Sequence, residues 1–75
     1  MPSPLYVVTG AGGFIGSHIV EKLLSEGCAV RGVDNFSTGR RENIAPFLSK
    51  MDFVEGDLAD AAVAQKAAAG ADYII

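Results

Sequence analysis

Two rhythms of apolar and polar positions alternate along the chain. Leu5, Tyr6, Val7 and Val8 run into Thr9 as a short apolar, partly β-branched segment. That is the pattern of a strand covered on both faces, as in a parallel sheet. Residues 10–13 then read Gly-Ala-Gly-Gly, a tight turn. From Phe14 the period changes. Phe14, Ile15, Ile19, Val20, Leu23 and Leu24 recur at helical spacing, with Ser17, Glu21, Lys22, Ser25 and Glu26 on the other side. Gly27 suits the left-handed position just past a helix end.

The same alternation repeats downstream. Residues 28–34 predict a second strand ending on Asp34, and residues 35–39 a polar turn. Residues 41–48 carry a weak helical pattern, with Ile44, Phe47 and Leu48 on one side. Pro46 has no N–H, so that helix must be short or begin near the proline. Residues 52–55 predict a third strand, closed by Gly56 and Asp57. Asp60 is placed to cap an alanine-rich helix over residues 61–69, which Gly70 ends, and residues 73–75 open a fourth strand. The resulting β-α-β-α-β-α-β order with short connections predicts an α/β fold, a parallel sheet with helices on its faces and right-handed crossovers.

Composition narrows the function classes. Of the 75 residues, 49% are apolar, enough to intend a packed core, although a domain of this size is marginal alone. No stretch approaches the roughly 20 apolar residues of a membrane span, and no signal-peptide pattern precedes Leu5. The net charge is −3 and the longest basic cluster is the pair Arg40 and Arg41, which argues against a nucleic-acid surface. Cys28 is the single cysteine, so no internal disulfide forms, which fits a reducing, cytoplasmic setting. No metal-ligand spacing occurs. His18 lacks a Ser, Cys or acidic partner in its neighbourhood and reads as a packed or surface histidine.

The glycine turn carries the candidate chemistry. Gly10, Gly13 and Gly16 form G-x-x-G-x-x-G between a strand and a helix. One glycine permits the turn, one lets backbone approach a pyrophosphate, and one lets the helix pack close to the sheet. A helix N-terminus adds unpaired N–H groups and partial positive charge. Gly16 lies inside the helix, where it costs up to about 1 kcal/mol against alanine and so asks for a packing reason.

Asp34 ends the second strand 18 positions after Gly16, close to the interval of about 20 at which an acid meets the adenosine ribose of a bound dinucleotide. A carboxylate there accepts the ribose hydroxyls and repels a 2′-phosphate, favouring NAD over NADP. Arg40 and Arg41, six and seven positions further on at the start of the next helix, could in principle meet a 2′-phosphate, but read better as a solvated helix face. Asp57 ends the third strand by the same geometry. It either contacts an adenine, with Leu58 offering a backbone N–H, or caps the next helix; spacing alone leaves both open.

These residues resemble the N-terminus of the extended short-chain dehydrogenase/reductase family, most of all its NAD-dependent nucleotide-sugar epimerases of the UDP-glucose 4-epimerase kind. Residues 9–18, TGAGGFIGSH, match that family's TGxxGxxG turn. Residues 33–43, VDNFSTGRREN, resemble its ribose-binding loop, and residues 55–58, EGDL, its adenine-contacting segment. The resemblance implies a partial Rossmann fold, doubly wound, in which residues 1–75 are the N-terminal part of one NAD-binding domain. It implies that backbone at Gly13, Phe14 and Ile15, within the turn from Gly10 to Gly16, holds the pyrophosphate. Asp34 would bind the ribose, while Asn35, Phe36, Ser37, Thr38 and Gly39 line the adenine side and phosphate rim. Asp57 and Leu58 would grip the adenine.

In such epimerases NAD takes a hydride from C4 of a UDP-sugar and returns it to the other face, with a tyrosine of a Tyr-x-x-x-Lys motif as base. Gly10 stands four positions after Tyr6, and the 75 residues end two after Tyr73, so neither tyrosine supplies that motif here. The expectation is therefore a cofactor-binding portion without catalytic residues of its own. The UDP-sugar would bind only the longer parent, which could equally be a dehydratase or decarboxylase. A separate expectation follows from residues 73–75: an open strand edge could pair two copies into a homodimer.

Overall fold

The computed structural model describes residues 4–37 and 39–75. Strand β1 is Leu5–Thr9, helix α1 Phe14–Ser25, β2 Ala29–Asp34, β3 Asp52–Glu55, helix α2 Ala61–Ala68 and β4 Tyr73–Ile74. All pairings are parallel and the strand order is β3-β2-β1-β4, so the chain starts in the middle, winds outward twice, then crosses to the other side.

Alternation along the strands divides the core into two layers. Val8 and Val30 face α1, where Ala11, Val20 and Ile44 complete a buried cluster supported by Leu23, Phe36 and Phe53. Val7, Val33 and Val54 face the opposite way and pack with Ala67 of α2. The sheet is therefore covered on both sides, as the near-continuous apolar strands require.

Three expectations need correction. Phe14 and Ile15 are 76% and 74% exposed, whereas Ser17 is buried. The first turn of α1 overhangs the strand ends, so its apolar residues have no sheet beneath them. Ser17 is turned inward instead, and its hydroxyl donates to the Phe14 carbonyl at 3.0 Å. Second, the helix expected over residues 41–48 is two single 3₁₀ turns, Arg41–Asn43 and Ala45–Phe47. Pro46 cannot donate to an i−4 carbonyl, which leaves only short i→i+3 turns. Third, Leu48 is 46% exposed, whereas Ile44 is fully buried.

The edge strand β4 matches expectation and continues its pairing through Ile75, whose N–H donates to Val7 O at 2.8 Å and whose carbonyl accepts from Thr9 N at 3.0 Å. Asp60 caps α2 by accepting from Ala62 N at 2.9 Å. The other end of α2 is capped from afar. The Arg31 guanidinium donates to the carbonyls of Ala67 and Ala69 at 2.8 and 2.7 Å. Its Nε donates to Asp52 on β3 at 2.9 Å. One side chain thus satisfies orphan helix carbonyls and joins two strands.

Gly16 shows why a glycine sits inside α1. A Cβ there would overlap the Gly10 carbonyl oxygen and come within 2.8 Å of its carbonyl carbon. Both are backbone atoms at the end of the turn, so neither can rotate away. We expect Gly16→Ala to destabilise the chain by about 3 kcal/mol or more. Urea unfolding followed by circular dichroism measures this, and a change within 1 kcal/mol of wild type would mean the turn and helix are not in backbone contact.

Candidate functional site

Parallel pairing brings the C-terminal ends of β1, β2 and β3 side by side. Thr9 is level with Val33, and Asp34 with Glu55. The segments leaving these strands stay tied to them: Ala11 N donates to Val33 O and Gly56 N to Asp34 O, each at 3.1 Å. Between them lies a cleft of about 240 Å³ lined by Gly10, Val33, Asp34, Asn35, Gly56, Asp57 and Leu58. Five of these seven were expected from the sequence. Val33 and Gly56 were not, and only their neighbours Asp34 and Asp57 hinted at them.

Asp34 is 9% exposed, and both of its oxygens are engaged. Oδ2 accepts from Gly12 N at 2.7 Å and Oδ1 from Phe36 N at 2.8 Å. The carboxylate therefore fixes the glycine turn on one side and starts the following loop on the other. That loop folds back on the turn. Arg40 N and Asn43 Nδ2 both donate to Gly12 O, at 2.9 and 2.8 Å. Gly39 completes the contact, since a Cβ there would stand 2.6 Å from Asp34 Oδ2 and 2.7 Å from the Gly12 carbonyl carbon. Gly12 and Asn43 escaped the sequence reading. Gly12 lay hidden among counted glycines, and Asn43 is 31 residues from its partner.

Along the turn, the first helical bond runs from Ser17 N to Gly13 O at 2.9 Å, and no side chain caps α1. The N–H groups of Phe14, Ile15 and Gly16 thus precede the hydrogen-bonded ladder and suit an anion. Gly13 differs from the expectation placed on it: its N–H closes the turn onto Gly10 O at 3.0 Å.

The remaining expected residues divide. Asn35 stays at the cleft wall, and its Oδ1 accepts from Ser37 N at 3.0 Å. Phe36 adopts φ 59°, and its ring packs inward, 5.6 Å from the Phe53 ring. Its role is to floor the turn, and it does not line the cleft. Ser37 is exposed and Gly39 half-buried against Asp34; Thr38 lies outside the described residues. Asp57 caps its own turn, accepting from Ala59 N at 2.9 Å, while Asp60 caps the helix. Asp57 and Leu58 both line the cleft. His18 donates through Nδ1 to Phe14 O at 2.6 Å on the exposed side of α1, away from these groups. Among the described residues no cluster of three or more His, Cys, Asp or Glu side chains forms a metal site. Among the described residues no helix is long and apolar enough to cross a membrane.

Comparison with known proteins agrees with this geometry. Residues 6–75 match the NAD dependent epimerase/dehydratase family. A UDP-glucose 4-epimerase of Mycolicibacterium smegmatis is 49% identical over 57 residues, 73% of this chain and 18% of that protein. UDP-glucuronic acid decarboxylase 2 of Arabidopsis thaliana is 51% identical over 63% of this chain and 11% of its own length. Among solved structures, the UDP-glucose 4-epimerase of Thermus thermophilus in complex with NAD superposes with a TM-score of 0.74 at 44% identity. The match covers 84% of this chain and 19% of that one. The chain thus spans no more than a fifth of the length of these relatives.

Asp34 is the joint of the site. Asp34→Ala leaves two N–H groups without their charged acceptor and is expected to cost about 2–4 kcal/mol. Asp34→Asn keeps one carbonyl acceptor and should cost about half as much. Urea midpoints compare the three proteins, and equal losses for Ala and Asn would contradict the assigned bonds.

Proposed function

The chain belongs to the NAD dependent epimerase/dehydratase family, and from that premise we propose that residues 1–75 form the N-terminal, NAD-binding part of a nucleotide-sugar epimerase of the UDP-glucose 4-epimerase kind. The observation that carries this reading is the buried Asp34 carboxylate, held at the strand ends between the glycine turn and the cleft. The residues present fit the cofactor. The close approach of Gly16 to Gly10 brings uncapped helix N–H groups next to the strand end, where a side chain would block them.

In this reading Phe14, Ile15 and Gly16 donate backbone N–H groups to the pyrophosphate, with Gly10 and Gly13 shaping the turn. Asp34 accepts the adenosine ribose hydroxyls at the cleft while keeping its grip on Gly12. Asp57 and the Leu58 backbone meet the adenine edge, and Asn35 borders it. Ser37 and Gly39 belong to the rim; Phe36 supports it from below. NAD, when bound, supplies hydride acceptance and return at C4 of a UDP-sugar. These residues bind and orient, and the acid–base groups and the sugar pocket belong to the longer protein. The Arabidopsis relative supports a second parent activity, decarboxylation of a UDP-sugar acid. The lone free thiol, Cys28, supports a reducing, cytoplasmic setting.

Backbone NMR of the chain titrated with NAD and with ADP tests the reading. Shifts are expected at Phe14, Ile15, Gly16, Asp34 and Leu58 at millimolar ligand or below, a binding free energy of about −4 kcal/mol or stronger. No shift at those residues at several times that concentration would sink it.

One further observation favours self-association alongside binding. On edge strand β4, Tyr73 and Ile74 are 55% and 60% exposed, beside open backbone groups. A homodimer paired through β4 would cover them. Sedimentation velocity at high micromolar concentration is expected to show a concentration-dependent shift toward twice the monomer mass, and a single monomer boundary would reject it.

A further inference from the structure

The loop that Asp34 anchors through Phe36 carries a cation, Arg41. Arg41 belongs to the first 3₁₀ turn, flanked by the two contacts that Arg40 N and Asn43 Nδ2 make to Gly12 O. Its guanidinium carbon sits 4.4 Å from the centre of the Phe36 ring. Phe36 in turn donates its N–H to Asp34, and its ring is fixed against Phe53. The arginine is therefore built onto the segment that meets the ribose-binding acid. An arginine in such a place accommodates the 2′-phosphate of NADP in dinucleotide-binding folds.

Here that arginine is already engaged. Arg41 Nη2 pairs with Glu55 Oε1. Glu55 ends β3 level with Asp34 on β2, so two carboxylates stand on adjacent strands, with Asp34 at the cleft. Alternation along β3 sends Val54 toward α2 and Glu55 to the side occupied by Asp34 and Phe36.

We infer that Glu55 is a specificity-determining residue for the adenosine ribose: it neutralises Arg41 and adds a second negative charge, so that a 2′-hydroxyl is accepted and a 2′-phosphate refused. The inference rests on the NAD-binding reading above. It also makes Arg41 a latent 2′-phosphate contact, one substitution from exposure. The ion pair is half-exposed on both sides (65% and 51%), so it contributes little to stability. Its consequence lies in the local field, where a phosphate of roughly two charges meets one cation cancelled by one anion, with Asp34 left over.

The test compares 5′-AMP with adenosine 2′,5′-bisphosphate, which differ only by the 2′-phosphate. NMR titration of the wild-type chain, Glu55→Gln, Arg41→Gln and the double variant gives the ratio of the two dissociation constants in each. Wild type is expected to favour 5′-AMP. Glu55→Gln should shift the ratio toward the bisphosphate by on the order of tenfold, and less at high salt. Arg41→Gln alone leaves Glu55 unpaired and should shift the ratio further toward 5′-AMP, and in the double variant it should remove most of the gain. Opposite shifts in the two single variants, cancelling in the double, are the signature of a mutually neutralised pair. An unchanged ratio in Glu55→Gln overturns the inference while leaving NAD binding standing, as does a gain that survives Arg41→Gln. If neither nucleotide binds any of the four proteins, the binding reading falls and the inference falls with it.

Discussion

Gly12 is gripped from both sides, and the arrangement of the strand ends depends on that grip. Its N–H is taken by the Asp34 carboxylate, and its carbonyl accepts from Arg40 and Asn43. Three segments distant in sequence therefore meet at one residue: the turn after β1, the end of β2 and the first 3₁₀ turn. Nothing bulkier than glycine fits there, because a Cβ at position 12 would meet Asp34 and the Phe36 ring at 2.8 Å. A buried carboxylate satisfied by two backbone donors is stable where an unpaired one would be costly.

The sheet provides the platform and the helices provide the closure. Because β1 lies beside β2, the turn that follows it emerges next to the ends of β2 and β3, where the cleft opens. Helix α1 is pinned there by backbone contact between Gly16 and Gly10, and α2 is held on the opposite face by Arg31. Arg31 acts at a distance from the site yet in the same manner as Asp34. Each is a charged side chain that settles several backbone groups at once, and so joins elements that apolar packing alone would leave free to slide.

Charge at the strand ends completes the picture. Asp34, Glu55 and Asp57 stand near one another, each on a different backbone duty: Asp34 holds the turn, Glu55 ends β3 against Arg41, and Asp57 caps its own turn. The chain's family is NAD dependent and a solved relative holds NAD, and the proposed cofactor site would use this edge. In the proposed reading Asp34 and Asp57 touch the ligand and Glu55 shapes the field around it. Their separation in the chain gives no clue to that division.

Much of the fold could be read from the chain itself. The order of elements, the parallel sheet, the G-x-x-G-x-x-G turn and the position of Asp34 follow from periodicity and spacing, because strand and helix formation are governed by neighbours within four residues. The tertiary structure alone decided which side chains serve which partners. It turned Phe36 inward and Ser17 into the core, left Phe14 and Ile15 exposed, and broke the expected helix into 3₁₀ turns. It also paired Arg41 with Glu55, 14 residues away, and sent Arg31 to carbonyls 36 and 38 residues away. Those choices depend on strand order and register, which set which residues lie opposite one another across the sheet, and local pattern does not encode them.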